Sequence, residues 1–259
     1  MAASLLFSSG VAQLAHPSSP KAQPRTSATN PTSPPSRAAI PASPPSRVAR
    51  PSLPTGRDRV QTQERIEHCQ GAGPQVWLTF DDGGSAAQID RILAVLRREH
   101  VRAIFFPIGS WADANRGLVR RIGRAGHLIG DHTQDHVDLA KVSDTKAAAQ
   151  IQQGGTHVAG SVLLLRPPFG AGAYTARLDS LATSAGMKLC TWTVDTRDWT
   201  GSSAATIVRR VAHGDAITPP VRAGGVIIMH MNGEHTGRAL PGVIHAVRAR
   251  GLHLHALPR

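Results

Sequence analysis

The sequence predicts a parallel α/β fold, either a (β/α) barrel or an open doubly wound sheet. Three observations carry that expectation. Apolar runs recur from about Gly73 to the end of the chain, amphipathic stretches lie between them, and the runs are continuously apolar rather than alternating. Strands covered on both faces read in this way, and strands that alternate with helices form parallel sheets.

In order, the runs are "VWLTF" (76–80), "AIFFPI" (103–108), "HLIG" (127–130), "VLLL" (162–165), "LCTWTV" (189–194), "GVIIM" (225–229) and "LHLHAL" (252–257). Each is short enough for a strand. After the first run, "SAAQIDRILAVLRREH" sets Ile89, Ile92, Leu93 and Leu96 on one helical face, with Ser85 as N-cap. The segments "LRRE" and "VRRIGR" read as solvated helix faces.

The N-terminal quarter has a different composition. Residues 1–54 hold eleven of the nineteen prolines, and "PTSPPSR" (31–37) is echoed by "PASPPSR" (41–47). Such a stretch buries too little apolar surface to offset chain entropy. The expected organisation is a disordered Pro/Ser/Ala/Arg-rich segment over 1–72 and one folded domain over 73–259. The opening "MAASLLFSSGVAQLA" resembles the later half of a signal peptide but lacks the positive start, which a misassigned start codon or the absence of a signal would explain; export is weakly favoured. No later run is long enough to span a membrane.

The formal net charge of the 259 residues is +12, with 29 Lys and Arg against 17 Asp and Glu. An acidic partner, whether nucleic acid, an anionic membrane or an anionic cell-wall polymer, is one implication, and a solvated arginine background is the other. Nucleic acid is disfavoured because the cations are scattered and stacking aromatics are not clustered. Cys69 and Cys190 make no disulfide framework and no CxxC motif. One bond in an oxidising compartment is open to them, but Cys69 reads as inert or weakly paired.

Polar clusters follow five of the strands. "VWLTF" ends in Asp81 and Asp82, "HLIG" in "DHTQDH" (131–136), "VLLL" in "RPPFG" (166–170), "LCTWTV" in "DTRDW" (195–199) and "GVIIM" in His230. In parallel α/β folds the loops at the carboxyl ends of strands converge on one face. His132 and His136 are near enough to chelate one ion, and Asp82 would complete three ligands with a position left open for water. Asp81 could then take a proton from that water, held by a charge-assisted bond from Arg166. His230 is available as a general acid, oriented by a carboxylate such as Asp198. His235 is a further candidate to face the site. The other histidines read as surface or satisfied core groups.

The five ordered motifs "TFDDG" (79–83), "HTQDH" (132–136), "RPPFG" (166–170), "DTRDW" (195–199) and "IMH" (228–230) resemble those of the polysaccharide deacetylase family. This is the NodB-homology group, or carbohydrate esterase family 4. The resemblance covers roughly residues 73–259 and implies an irregular (β/α)7-type barrel. It implies removal of acetyl groups from carbohydrate, usually from N-acetylglucosamine units of peptidoglycan or chitin-like polymers and in some members O-acetyl from xylan. It also implies one divalent metal ion, usually zinc, otherwise cobalt or another ion, and a place outside the cell or in its envelope.

Carried over by position, Asp81 resembles the family's base, and Asp82, His132 and His136 its metal ligands. Arg166 resembles the residue that positions the base, and Asp198 the partner of the catalytic His230. Trp199 and Ile228 would line the pocket for the acetyl methyl, with the Phe169 amide at the oxyanion. Gly84, Val137, Phe169 and Ile228 depart from the frequent Pro, Pro, Tyr and Leu, which puts the pocket's shape in doubt and removes no ligand. The rival readings are O-acetyl ester or other amide hydrolysis on the same scaffold, a silent carbohydrate-binding relative, and, remotely, a basic nucleic-acid-binding protein. A monomer is assumed.

Overall fold

The computed structural model describes Cys69 and residues 73–157, 163–170 and 175–257. The expected leader over 1–72 lies outside the described residues except for Cys69. Strand β1 (Gln75–Asp82) is followed by helix α1 (Ala86–Arg98), β2 (Ala103–Pro107), α2 (Gly109–Ala114), α3 (Arg116–Arg124) and β3 (Leu128–Ile129). Then come α4 (Asp144–Gly154), β4 (Leu164–Leu165), α5 (Ala176–Ser184), β5 (Lys188–Leu189), β6 (Val194–Asp195) and α6 (Ala204–His213). The chain closes with β7 (Val226–His230), α7 (Thr236–Ala249) and β8 (His253–Leu254).

Among the described residues every strand ladder is parallel, with one isolated antiparallel bridge between Val101 and Ala256. One sheet runs β3-β2-β1-β7-β6 with β8 on the start of β1, and β4-β5 form a second. A single parallel bridge, Asp131 to Leu165, joins the two sheets beside β3 and β4. The result is the irregular barrel rather than the open sheet.

Alternation along the strands sorts the core into two layers. Val76, Leu78 and Phe80 of β1 pack outward with Ile89, Ile92 and Leu96 of α1, in a cluster that includes Phe105, Ile227 and Met229. Trp77 points the other way and joins Ile104, Phe106, Leu164 and Val226, the plug of the barrel interior. Above that plug the inward positions of β1 are Thr79 and Asp81. Helix α1 starts at Ser85 through a capping box with Gln88, and it buries Ile89, Ile92, Leu93 and Leu96 as their spacing predicts. The cap is worth about 1 kcal/mol and each buried side chain about 1.5–3 kcal/mol.

Two expectations need correction. "LCTWTV" is not one strand but two, because β5 pairs with β4 while β6 pairs with β7. Between them the carbonyls of Cys190 and Thr191 accept from the Arg166 guanidinium at 3.0 and 3.1 Å. An arginine thus takes backbone acceptors that a ladder would use. Cys69 is not inert: it is disulfide-bonded to Cys190, with 4.4 Å between the Cα atoms, and both are buried.

Candidate active site

The site stands at the carboxyl ends of the strands. Neighbouring residues of a strand point to opposite faces, yet both Asp81 and Asp82 approach the same histidine. Asp82 resolves this by leaving the strand conformation, with φ 73°. Left-handed backbone costs a non-glycine residue of order 1–3 kcal/mol, a cost typical of functional sites. Asp81 keeps the inward direction of its strand and is buried.

Arg166 lies fully buried beneath Asp81. Its Nη1 donates to Asp81 Oδ1 at 2.7 Å and to Thr79 Oγ1 at 2.6 Å, and its Nε and Nη2 hold the backbone of Cys190 and Thr191. The guanidinium also rests 4.3 Å from the centre of the Phe106 ring. Every edge of the fork is engaged, so the Asp81 carboxylate has one position.

The loop 131–136 is not helical, so the four-residue spacing of its histidines does not come from a helix turn. Thr133 and His136 have φ of 64° and 55°, and Asp131 Oδ1 accepts the Thr133 amide at 2.8 Å. Burial pushes the Asp131 carboxyl up to about 7. His132 donates from Nδ1 to the Arg166 carbonyl at 2.7 Å, which leaves the Nε2 lone pair free. That Nε2 lies 3.5 Å from Asp82 Oδ1 and 3.7 Å from Asp81 Oδ2, while His136 Nε2 lies 3.4 Å from Asp82 Oδ1.

One ligand atom each from Asp82, His132 and His136 fall within 4.8 Å of one another. Donors bound at about 2.1 Å around a tetrahedral ion are themselves about 3.4 Å apart. The donor set and its spacing therefore fit a divalent metal ion. Burial and the His132 charge lower the His136 pKa, whereas burial of His132 is outweighed by Asp81 and Asp82, which raise its pKa; bound to a cation, both imidazoles must be neutral. For Asp82 burial works upward, but the His132 imidazole 3.5 Å away, with His230 and His136, holds the carboxyl below its usual range.

His230 is paired in register with Asp81 across β1 and β7, so the two share a face. Its Nδ1 donates to Asp198 Oδ1 at 2.7 Å and its amide to Asp198 Oδ2 at 2.8 Å. Thr196 donates to Oδ1 at 3.2 Å and Thr236 to Oδ2. Burial alone would lower the imidazole pKa, but the bond and charge of Asp198, with Asp81 and Asp82, raise it to about 9.

Among the expected pocket residues, Ile228 is buried, in register with Thr79 and Asp195. Phe169 and Trp199 are exposed, at 66% and 62%. Phe169 has φ 61° and sets its ring edge-on to His136, with 4.6 Å between centroids. His235 precedes α7, with Nε2 3.8 Å from Glu234. Sequence reading missed Thr79, Thr196 and Thr236. A lone polar residue in "VWLTF" was the one available signal. Gly154 was missed as well, and a Cβ there would stand 2.3 Å from Asp131 Oδ1.

A family model described as polysaccharide deacetylase matches residues 69–190. The chitooligosaccharide deacetylase of Sinorhizobium fredii is 31% identical over 204 residues, 72% of this chain and 91% of that protein. The chain belongs to the polysaccharide deacetylase family. A Listeria monocytogenes peptidoglycan-N-acetylglucosamine deacetylase is 30% identical over 181 residues, 68% of this chain, which spans only 36% of that protein's length. Among solved structures, the family 4 carbohydrate esterase of Streptomyces lividans, in complex with acetate, superposes with a TM-score of 0.62 at 30% identity. That match covers 70% of this chain and 92% of the esterase. A Bacillus anthracis pseudoenzyme of the same family, 23% identical with a TM-score of 0.65 over 73% of this chain and 66% of its own, shares the fold alone. Within the polysaccharide deacetylase family, activity thus has to be argued from the residues at the strand ends.

Proposed function

We propose that the protein is a metal-dependent hydrolase that removes the N-acetyl group from N-acetylglucosamine units of peptidoglycan or a chitin-like polymer. The observation that carries this is the Asp82–His132–His136 triangle, set between an arginine-clamped Asp81 and the His230–Asp198 pair. A divalent ion held by the triangle, zinc for this donor set or cobalt in its place, would polarise the acyl oxygen and make a water acidic.

Asp81 accepts the proton of the attacking water, and Arg166 keeps its carboxylate aimed. His230, protonated through Asp198, gives a proton to the amine nitrogen as the carbon–nitrogen bond breaks. Acetate and a free glucosamine amine leave, so the atoms balance. Ile228, Trp199 and the Phe169 amide are assigned to the acetyl pocket and the developing oxyanion. The exposed Trp199 and Phe169 would flank the sugar entering from solvent.

The names of the relatives support this substrate class and a place at the cell envelope. No helix of the described residues is long and apolar enough to cross a membrane. O-deacetylation of a xylan-type ester shares the same water activation and is the second reading, because Phe169 and Ile228 replace the frequent pocket residues.

Acetate release from chitooligosaccharides, peptidoglycan and acetylxylan, assayed side by side, tests the proposal. The expected order puts the two N-acetyl substrates first, with activity lost on chelation and regained with zinc or cobalt. Release from acetylxylan alone would establish the ester reading, and no release from any of them would make the chain a silent relative.

A further inference from the structure

The arginines of α3 are more than a solvated face. The helix buries Val119 and Ile122 and sets Arg116, Arg120 and Arg124 one turn apart on another side. Together with Asp113, Thr156 and His157 they line a cavity of about 500 Å³. Among the described residues, the one acid lining it is already engaged. Asp113 Oδ1 meets Arg116 Nη2 at 3.1 Å and His157 Nε2 at 3.2 Å, and its Oδ2 accepts from Gln134 Nε2 at 3.1 Å. Among the described residues, Arg120 and Arg124 have no hydrogen-bond or ion-pair partner. Like charges one turn apart on a helix repel, so an anion between them would be stabilising.

We propose that this cavity is an anchoring site for a phosphodiester-linked polyanion, with successive phosphates gripped by Arg120 and Arg124. The guanidinium fork binds phosphate through two parallel N–H···O bonds, and a rigid helix presents two such forks in a row. Thr156 adds no donor, because its hydroxyl already bonds the Gln153 carbonyl at 2.9 Å, so the two guanidinium forks carry the recognition. Gln134 lies between His132 and His136 in sequence, so the cavity is one hydrogen bond away from the loop that carries both histidines. A polymer held here lies beside the candidate active site. Its binding can be read without turnover, so this inference stands or falls separately from the deacetylase reading.

Calorimetric titration of the full chain with poly(glycerol phosphate), and with poly-glutamate of equal charge, tests it at low and physiological salt. The phosphate polymer should bind more tightly than poly-glutamate, and less so as salt rises. Arg120→Gln combined with Arg124→Gln should weaken that binding roughly tenfold or more, about the loss expected for two charge-assisted contacts. Arg209→Gln with Arg238→Gln, the same charge change in the groove between α6 and α7, should leave it within about twofold. Hydrolysis of a short neutral chitooligosaccharide should be the same in both double variants. Equal weakening by the two pairs would reduce the site to diffuse charge, and equal binding of poly-glutamate would remove the phosphate assignment. Either result, or no binding at all, overturns the proposal.

Discussion

Asp198 accepts from the His230 ring at 2.7 Å, from the His230 amide at 2.8 Å and from the hydroxyls of Thr196 and Thr236. On the facing side of the strand ends, Asp82 stands 3.5 and 3.4 Å from His132 and His136. The first set of contacts is closed, with the imidazole oriented before any substrate arrives. The second is too long for good hydrogen bonds and matches the spacing of donors around one ion. One half is therefore preorganised by protein alone, and the other has the spacing of a site that could hold a cation.

The sharpest way to break that contrast is His132→Ala. Bound divalent metal and acetate release should both be lost, and chelated wild type should recover with zinc or cobalt. Metal analysis alongside the assay decides it, and turnover that survives chelation would end the distinction. Next in size are the paired aspartates. Asp81→Asn should keep the metal and lower the rate by roughly a hundredfold or more, with no rescue by added ion. Asp82→Asn should weaken metal affinity, so excess ion restores part of the rate. Reversed rescue would exchange the two roles.

Asp198→Asn probes the other half. The His230 pKa is raised to about 9 in the fold, against an ordinary value of 6.5. The protonated pair thus contributes stability that is full below pH 6.5 and fades as pH rises through about 9. A general acid must also be protonated to act, so the rate falls on the alkaline side. Removing the Asp198 charge should move that limb to lower pH and cost stability at pH 6 more than at pH 9.5, while metal content stays unchanged. A bound cation would itself pull the limb downward, so the shift is read between variants holding the same ion. Thr236→Val is the mildest change. It takes one donor from a buried carboxylate, costs about 1–2 kcal/mol by thermal unfolding, and leaves metal affinity alone.

The grouping of side chains was legible because polar residues at the ends of apolar strands are conspicuous. Asp81, Asp82, His132, His136, Arg166, Asp198 and His230 stand out from "VWLTF", "HLIG", "VLLL", "LCTWTV" and "GVIIM" in that way. Thr79, Thr196 and Thr236 did not, since threonine is as ordinary in a strand as in a loop and its partners come from distant chain. The left-handed turn at Asp82 was hidden too, although it is what turns two neighbours toward one site. The break between β5 and β6 is written in no local pattern. It follows from a guanidinium delivered by another strand, and nothing in "LCTWTV" announces its arrival.

The bond between Cys69 and Cys190 spans 121 residues and ties the chain just before β1 to the floor of the barrel. A loop of that length is worth about 4–5 kcal/mol in the chain-entropy view of disulfides. During synthesis Cys69 appears long before its partner, so for most of that interval it is a thiol with nothing to join. The closure belongs to the last stage of assembly and to a compartment that permits oxidation. In a reducing cell the same polypeptide would keep two thiols under Arg166, whose Nη2 lies 3.4 Å from the Cys190 sulfur. Where the protein is made thus reaches the underside of the residue that aims Asp81.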